Sequence, residues 1–250
     1  MIDITKLELL LRRQKKMPEY SPSKLNEYQN NANTTAIYPG RLGKRNGLNG
    51  KLLRYLTKNW SGFDSFTGGK SQEIKDYLEC GTPFVGLFYV SLGLAGEIGE
   101  MQEKVVSYKE GEDDLAPVVG ELGDVYWYIS QVCMELGTPM GHLLSINPKY
   151  SETRKIIYDP NMITVCLILA CSIWSGRISD ITKKLLRDSH GHLAADKKIS
   201  ILENLTKILI AMRSICAILG VTPEYCMEQN ITKLFSRMER GKLGGSGDAR

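Results

Sequence analysis

The chain has 250 residues, of which 42% are hydrophobic and 24% are charged, as is typical of a soluble globular protein. Its formal net charge of +4 is too small for a protein that binds duplex DNA, so no duplex nucleic acid partner is expected. No signal peptide is recognisable, and the longest apolar stretch, 163–174, is too short to span a bilayer. We therefore expect a cytoplasmic protein with no membrane partner.

The predicted elements, in chain order, are all helices. After a basic lead-in, Ser21 and Pro22 are placed to begin an N-terminal helix, with Pro at its first position. Short helices are predicted at 52–58 and 72–78. Apolar residues then recur at helical spacing in five long segments. These are 84–108, 115–136, 162–187, 194–219 and 224–240. No run of alternating residues indicates a strand, so the sequence predicts an all-α fold.

The candidate core consists of apolar stripes on the first two long helices. The stripe residues are Leu94, Ile98, Met101, Val105, Leu122, Val125, Ile129 and Val132. The six cysteines form no CxxC pair, and most fall in apolar helical segments. We predict that they are reduced and buried, acting as small hydrophobic side chains.

Four carboxylates are predicted to form one cluster. Glu97 and Glu100 are three residues apart, so they share one face of a helix, and Glu121 and Asp124 repeat this spacing on the next helix. A short turn packs the two helices antiparallel, and four converging carboxylates repel unless cations lie between them. Oxygen ligands favour Mg²⁺ or Mn²⁺ over zinc or copper. The alternative, solvated surface acids, is opposed by the apolar flanking sequence and by small neighbours that leave room for a ligand. These neighbours are Gly96, Gly99, Gly120 and Gly123.

The last predicted helix carries a basic face. Asn230, Lys233 and Arg237 fall at i, i+3 and i+7, and Arg240 extends the series. Such a face can bind phosphate oxygens through charge-assisted hydrogen bonds. The alternative is a solvated basic helix end that complements the helix dipole.

The two long helix pairs resemble each other. Segment 95–101 aligns with 175–181, and each pair ends in a glycine followed shortly by proline. The second copy retains the apolar stripe but replaces three acids of the first: Arg177 stands for Glu97, Asn204 for Glu121 and Lys207 for Asp124. We interpret this as duplication, although convergent hairpin patterning is an alternative.

Duplication predicts a four-helix-bundle core. The predicted organisation is an N-terminal helix with basic glycine-rich loops at 1–83, a duplicated helical region at 84–240 and a glycine-rich tail at 241–250. Within the duplicated region, 84–140 carries the acids and 161–223 is the degenerate repeat. One metal site per chain is therefore expected.

These motifs resemble the MazG-like all-α nucleoside triphosphate pyrophosphohydrolases. That family's signature is ExxE, a spacer and ExxD, which stand here at 97–100 and 121–124. The run from Asn230 to Arg237 resembles the family's N-x-x-K-x-x-x-R phosphate-binding helix. The ending 240–250 and the early segment 26–29 resemble a bacteriophage branch, and the half-degenerate repeat is similar to the dimeric dUTPase arm of the superfamily.

The resemblance implies hydrolysis of a (d)NTP to (d)NMP and pyrophosphate, in control of nucleotide pools and in the host cytoplasm if the protein is viral. It implies two or three Mg²⁺ (or Mn²⁺) ions on the four carboxylates, with Glu100 the first candidate for general base. Lys233, Arg237 and Lys104 would neutralise phosphate charge. A homo-oligomer, dimer or tetramer, is also implied. The residues assigned to the base or sugar are Gln29, Trp60 and Tyr126.

Two other protein classes predict different features. A ferritin-like di-iron bundle needs ExxH pairs, and none of the three histidines has a Glu three residues before it. The alternative is a non-catalytic helical protein that binds nucleotides or interacts with other proteins. Such a protein would show no metal-dependent rise in melting temperature.

Overall fold

A computed structural model describes residues 20–38, 40–41, 84–147, 163–189 and 191–244. Within these ranges the regular elements are six α-helices and one 3₁₀ helix. They are α1 (Pro22–Thr34), α2 (Phe84–Ser107), α3 (Ala116–Glu135), the 3₁₀ helix (Met140–Ser145), α4 (Ile163–Asp188), α5 (Ala195–Leu219) and α6 (Pro223–Glu239). The described ranges contain no strand, which confirms the all-α prediction. The helices predicted at 52–58 and 72–78 lie outside the described residues.

The two long hairpins are joined through α2 and α4. α2 packs against α3 and against α4, and α4 packs against α5. α1 packs on α3 and on the 3₁₀ helix, while α6 lies against α3. Every residue of the two predicted apolar stripes is buried in one common core, so the predicted helix faces are confirmed. The finer four-helix-bundle arrangement stays a prediction.

α3 and α5 end in the same way. Gly137 has φ 57° and Gly220 has φ 75°, backbone conformations that favour glycine. In each case the next amide donates to the carbonyl five residues back: Thr138 N to Cys133 O at 2.9 Å, and Val221 N to Cys216 O at 3.0 Å. The predicted glycine stops are therefore confirmed, and the matching bonds support the alignment of the two hairpins.

α6 begins with a side-chain cap at a place where the sequence predicted only the end of the preceding helix. The Thr222 hydroxyl accepts from Tyr225 N at 3.1 Å, and the α5–α6 pair is bent by 98°. This bend directs α6 away from the line of α5. Ser21, by contrast, precedes α1 as predicted, but its hydroxyl bonds to that of Ser23 and makes no side-chain cap.

α4 has 26 residues and is long and apolar enough to cross a membrane by length and composition alone. The bent pair α5–α6 passes the same test when it is taken as one span. The core helix of a soluble protein has the same properties, and α4 packs between α2 and α5. Its apolar residues Cys171, Trp174 and Ile178 are buried in the common core. The absence of a membrane partner stays a prediction.

Candidate functional site

Three of the four predicted carboxylates lie together between α2 and α3. One oxygen each from Glu97, Glu121 and Asp124 lies within 4.8 Å of the others. Glu121 is buried, whereas Glu97 and Asp124 are half-buried. Because α2 and α3 pack side by side, the i, i+3 spacing of the α3 pair turns both acids towards α2. The cluster therefore offers only carboxylate oxygens, a donor set that suits a hard divalent cation.

The fourth carboxylate, Glu100, lies at the rim of this cluster. Its residue is exposed, one turn along α2 from Glu97. Its charge nevertheless raises the pKa of Glu97, so the two groups are close enough to interact. Glu100 is consequently accessible to solvent while it adds negative charge to the cluster.

The electrostatics of the cluster centre on Glu97. Burial, followed in order by the charges of Asp124, Glu100 and Glu121, raises the pKa of this carboxyl from its ordinary value of 4.5 to about 8. Lys233 opposes the shift. At neutral pH and without a cation, the folded chain therefore holds a proton here. A divalent cation entering the cluster would displace that proton, because metal ligands bind as carboxylates.

α6 orients Asp124 through two of its predicted basic-face residues. Asn230 Nδ2 donates to Asp124 Oδ1 at 2.7 Å, and Lys233 Nζ pairs with Asp124 Oδ2 at 2.5 Å. Asn230 is only 1% exposed, and its own Oδ1 accepts from the Tyr28 hydroxyl at 3.0 Å. A hydrogen-bonded chain thus runs from α1 through α6 to the cluster. Both oxygens of Asp124 are held in place by side chains of α6.

Gly123 has a different role from the one predicted. A Cβ at this position would lie 2.8 Å from both Asn230 Cβ and Cys226 O, so the glycine lets α6 approach α3 closely. It leaves no room for a ligand, and that part of the prediction is wrong. A Cβ at Gly96, Gly99 or Gly120 would meet nothing within 4 Å, which agrees with the open space expected there.

The remaining predicted cations lie around the cluster. Arg237 is buried one turn beyond Lys233 on α6, and Lys104 is half-buried one turn beyond Glu100 on α2. Arg240 is exposed at the end of α6, where its Nε donates to Ser236 O at 3.2 Å. Lys233 contacts the cluster through Asp124 Oδ2.

The residues assigned to base or sugar lie elsewhere. Gln29 is buried, donates to Thr138 O at 3.0 Å and accepts from Met140 N at 2.8 Å, so its amide anchors the 3₁₀ helix. Tyr126 is fully buried. It stands two positions after Asp124 and therefore about 200° around α3, on the core side. Trp60 lies outside the described residues.

Two tyrosines near the cluster were not assigned a role from the sequence. Tyr28, already described, supports Asn230. Tyr128 stands four residues after Asp124, on the same face of α3, and the charges of Glu97 and Asp124 contribute to raising its pKa, after burial and Tyr89. The i+4 spacing from Asp124 was the available signal for Tyr128. A Cβ at Gly93 would overlap the Tyr128 ring, so α2 approaches that ring closely.

A phage protein is similar to part of this chain. The Gene 37 protein of Mycobacterium phage L5 is 37% identical over 79 residues, which cover 28% of this chain and 67% of the phage protein. The chain belongs to the family of that protein. The Gene 37 relationship agrees with the bacteriophage-type ending noted in the sequence. No protein-family profile and no solved structure matches the chain.

Proposed function

We propose that the protein is a metal-dependent nucleoside triphosphate pyrophosphohydrolase that converts a (d)NTP and water to a (d)NMP and pyrophosphate. The observation that supports it most is the convergence of Glu97, Glu121 and Asp124, with Lys233 on Asp124. Such a cluster is unfavourable without a cation. When a triphosphate binds with divalent cations, the cations neutralise the acids and the phosphate oxygens neutralise Lys233.

The proposed cofactor is two or three Mg²⁺ or Mn²⁺ ions, and the cluster of carboxylate oxygens supports a hard divalent cation. Glu97, Glu121 and Asp124 would hold them, with Glu100 contributing from the rim. When bound, such ions neutralise phosphate charge and lower the pKa of a coordinated water. Glu97 gives up its proton as the site fills. Glu100, exposed and adjacent, is our candidate for the group that accepts a proton from the attacking water.

The basic face of α6 would bind the phosphates. Lys233 Nζ lies 2.5 Å from Asp124 Oδ2 and could instead donate to a phosphate oxygen. Arg237, Lys104 and Arg240 would extend the positive surface. Asn230 acts differently from the prediction: because it is buried between Tyr28 and Asp124, we assign it the positioning of Asp124.

The aromatic side of the site would receive the base. Tyr128 packs edge-on against Trp127, with ring centroids 4.9 Å apart, and it is half-buried beside the acids. We propose Tyr128 as the ring nearest the nucleoside, in place of the buried Tyr126. Control of nucleotide pools in the host cytoplasm is the corresponding cellular role.

We also propose that the protein is a dimer or tetramer. Val85, Tyr89 and Leu92 lie at i, i+4 and i+7 on α2, and each is more than 40% exposed. Such an apolar face is expected to be covered in solution. Light scattering should give at least twice the chain mass, and a monomer at micromolar concentration would contradict the proposal.

The test of the activity is a panel of NTPs and dNTPs incubated with Mg²⁺. We expect equimolar nucleoside monophosphate and pyrophosphate from at least one substrate. Glu97→Gln and Asp124→Asn should each lower kcat by about 10²-fold or more, as expected for loss of charge that acts on the transition state. The matched control is Glu103→Gln, which removes an exposed carboxylate farther along α2.

Three outcomes would overturn the assignment. They are pyrophosphate release that survives in both cluster variants, release of nucleoside diphosphate, and no turnover of any substrate. The last result, combined with metal-dependent nucleotide binding, would favour the non-catalytic nucleotide-binding alternative.

A further inference from the structure

A cavity lies on the degenerate hairpin, between α4 and α5. Its volume is about 470 Å³, within the range of small-molecule sites. Arg177, Asn204 and Lys207 line it, and these residues align with Glu97, Glu121 and Asp124 of the acid cluster. The second hairpin therefore brings its equivalent positions together in the same way, but two of them carry positive charge.

The cavity contains a buried polar atom that lacks a partner. Lys207, which is only 7% exposed, lines the cavity together with Asn204. Asn204 is 5% exposed; its Nδ2 donates to Ser200 O at 2.7 Å, while its Oδ1 has no partner in the described part of the chain. Buried polar groups without partners are uncommon and indicate a missing ligand or water.

The electrostatics of the cavity favour an anion. Burial lowers the pKa of Lys207, and the nearby charge of Arg177 lowers it further. The cavity wall also holds Asp180, but Lys183 and Lys184 pair with its two oxygens at 2.7 and 2.6 Å. Its negative charge is therefore already compensated.

The remaining acid on the wall, Glu203, is half-buried and only partly offsets the effect on Lys207. The charged residues that line the cavity are thus two cations, Lys207 and Arg177, the lysine-paired Asp180, and Glu203. A bound anion would relieve the repulsion between these two cations.

We propose that this cavity binds a phosphate-class anion directly, without a metal ion, through Lys207 and Arg177. Hydrogen phosphate and hydrogen pyrophosphate also carry a P–OH group, which can donate to the unpartnered Oδ1 of Asn204. The second hairpin is then a binding site of opposite charge and more than a scaffold for the first. This inference uses only residues of α4 and α5 and does not depend on the proposed hydrolysis.

The experiment is calorimetric titration of the full chain with inorganic pyrophosphate in EDTA, at low salt and pH 7.5. Lys207→Met keeps the side-chain length and removes the charge. We expect it to weaken binding by about tenfold or more, the loss expected for one buried charge-assisted hydrogen bond. The control is Lys233→Met, which removes the cation at the acid cluster and should change the affinity by less than twofold.

A second variant distinguishes loss of binding from loss of folding. Asn204→Asp is nearly isosteric and places a carboxylate in the cavity, so it should also weaken pyrophosphate binding by tenfold or more. Circular dichroism melts establish that each variant is folded. Repeating the titration with inorganic phosphate and with sulfate distinguishes pyrophosphate recognition from a general anion site.

Four outcomes would overturn the inference. They are no pyrophosphate binding by the wild type at millimolar concentration, unchanged binding in the folded cavity variants, a loss confined to Lys233→Met, and equal losses in Lys233→Met and the cavity variants. Failure here would leave the acid-cluster activity untouched, and absence of hydrolysis would not affect this titration.

Discussion

Replacing Glu97 by Gln tests the acid cluster through its effect on stability as well as on activity. In the metal-free folded chain, burial and three neighbouring acids raise the pKa of Glu97 to about 8, whereas the unfolded chain ionises this group near 4.5. Between these two values the folded state binds the proton more tightly. The contribution of Glu97 to stability is therefore fully present below pH 4.5 and is lost as the pH rises towards 8.

The size of the effect follows from the pKa shift. Each pKa unit corresponds to about 1.4 kcal/mol, so the unscreened shift from 4.5 to 8 would be worth about 5 kcal/mol. Glu97 is half-buried, and solvent screening reduces this to about 2 kcal/mol. Glu97→Gln, which remains neutral, should thus be more stable than the wild type by about 2 kcal/mol at pH 8.5, or about 5 °C in melting temperature. The difference should vanish near pH 4.5.

The assay is urea unfolding at pH 5, 7 and 8.5, in EDTA and in Mg²⁺. The wild type should gain about 2.7 kcal/mol from Mg²⁺ at a hundred times its Kd, and Glu97→Gln should gain much less. Glu103→Gln, on the exposed side of α2, should follow the wild type throughout. A stability difference between wild type and Glu97→Gln that does not depend on pH would refute the electrostatic reasoning. Equal stabilisation of the two proteins by Mg²⁺ would refute the metal site.

Three further predictions concern packing and reactivity. Gly123→Ala should lose about 1–3 kcal/mol of unfolding free energy because its Cβ would meet α6. Gly120→Ala, which places its Cβ in open space, should be neutral or gain up to about 1 kcal/mol. Equal effects of the two substitutions in urea unfolding would contradict the close approach of α6 to α3. Tyr28→Phe removes the hydrogen bond to Asn230 and should lower the free energy of unfolding by about 1 kcal/mol. It should also lower the Mg²⁺ affinity measured by calorimetry. An unchanged Mg²⁺ affinity would show that the bond from Tyr28 to Asn230 does not support the metal site. Burial raises the pKa of Cys171 to about 12, so peptide mass spectrometry should find it unmodified by iodoacetamide at pH 8 until urea is added; rapid labelling of the native chain would contradict its burial.

Much of the fold was predictable from apolar spacing. The five long helices begin and end within two residues of their predicted bounds, because each carries a continuous apolar stripe and a clear stop. The 3₁₀ helix was missed, since six residues are too few for a periodic signal. It depends on tertiary contacts, in particular the Gln29 amide that binds Met140 N. The five cysteines in the described ranges are buried and unpaired, as predicted.

The candidate site was predictable where it depends on spacing along one helix, and less so where it depends on how helices meet. The i, i+3 rule placed Glu121 and Asp124 on one face, and the structure brings Glu97 to them. The same rule could not show that Gly123 faces α6, because its neighbour on that side is 107 residues away in sequence. Asn230 was assigned to phosphate for the same reason: its hydrogen bonds to Tyr28 and Asp124 join three separate helices.

The acid cluster and the basic cavity are built from aligned residues of the two hairpins, and both are subject to repulsion between like charges. Both hairpins keep the apolar stripe and the same five-residue stop bond, and Glu97 aligns with Arg177 in the sequence. Glu97 is half-buried and Arg177 is exposed, but each lies close to other charges of its own sign, which repel it. Burial and this repulsion raise the pKa of Glu97 and lower the pKa of Lys207. In each hairpin a ligand of opposite charge would relieve the repulsion. The acid cluster should therefore release protons when Mg²⁺ binds.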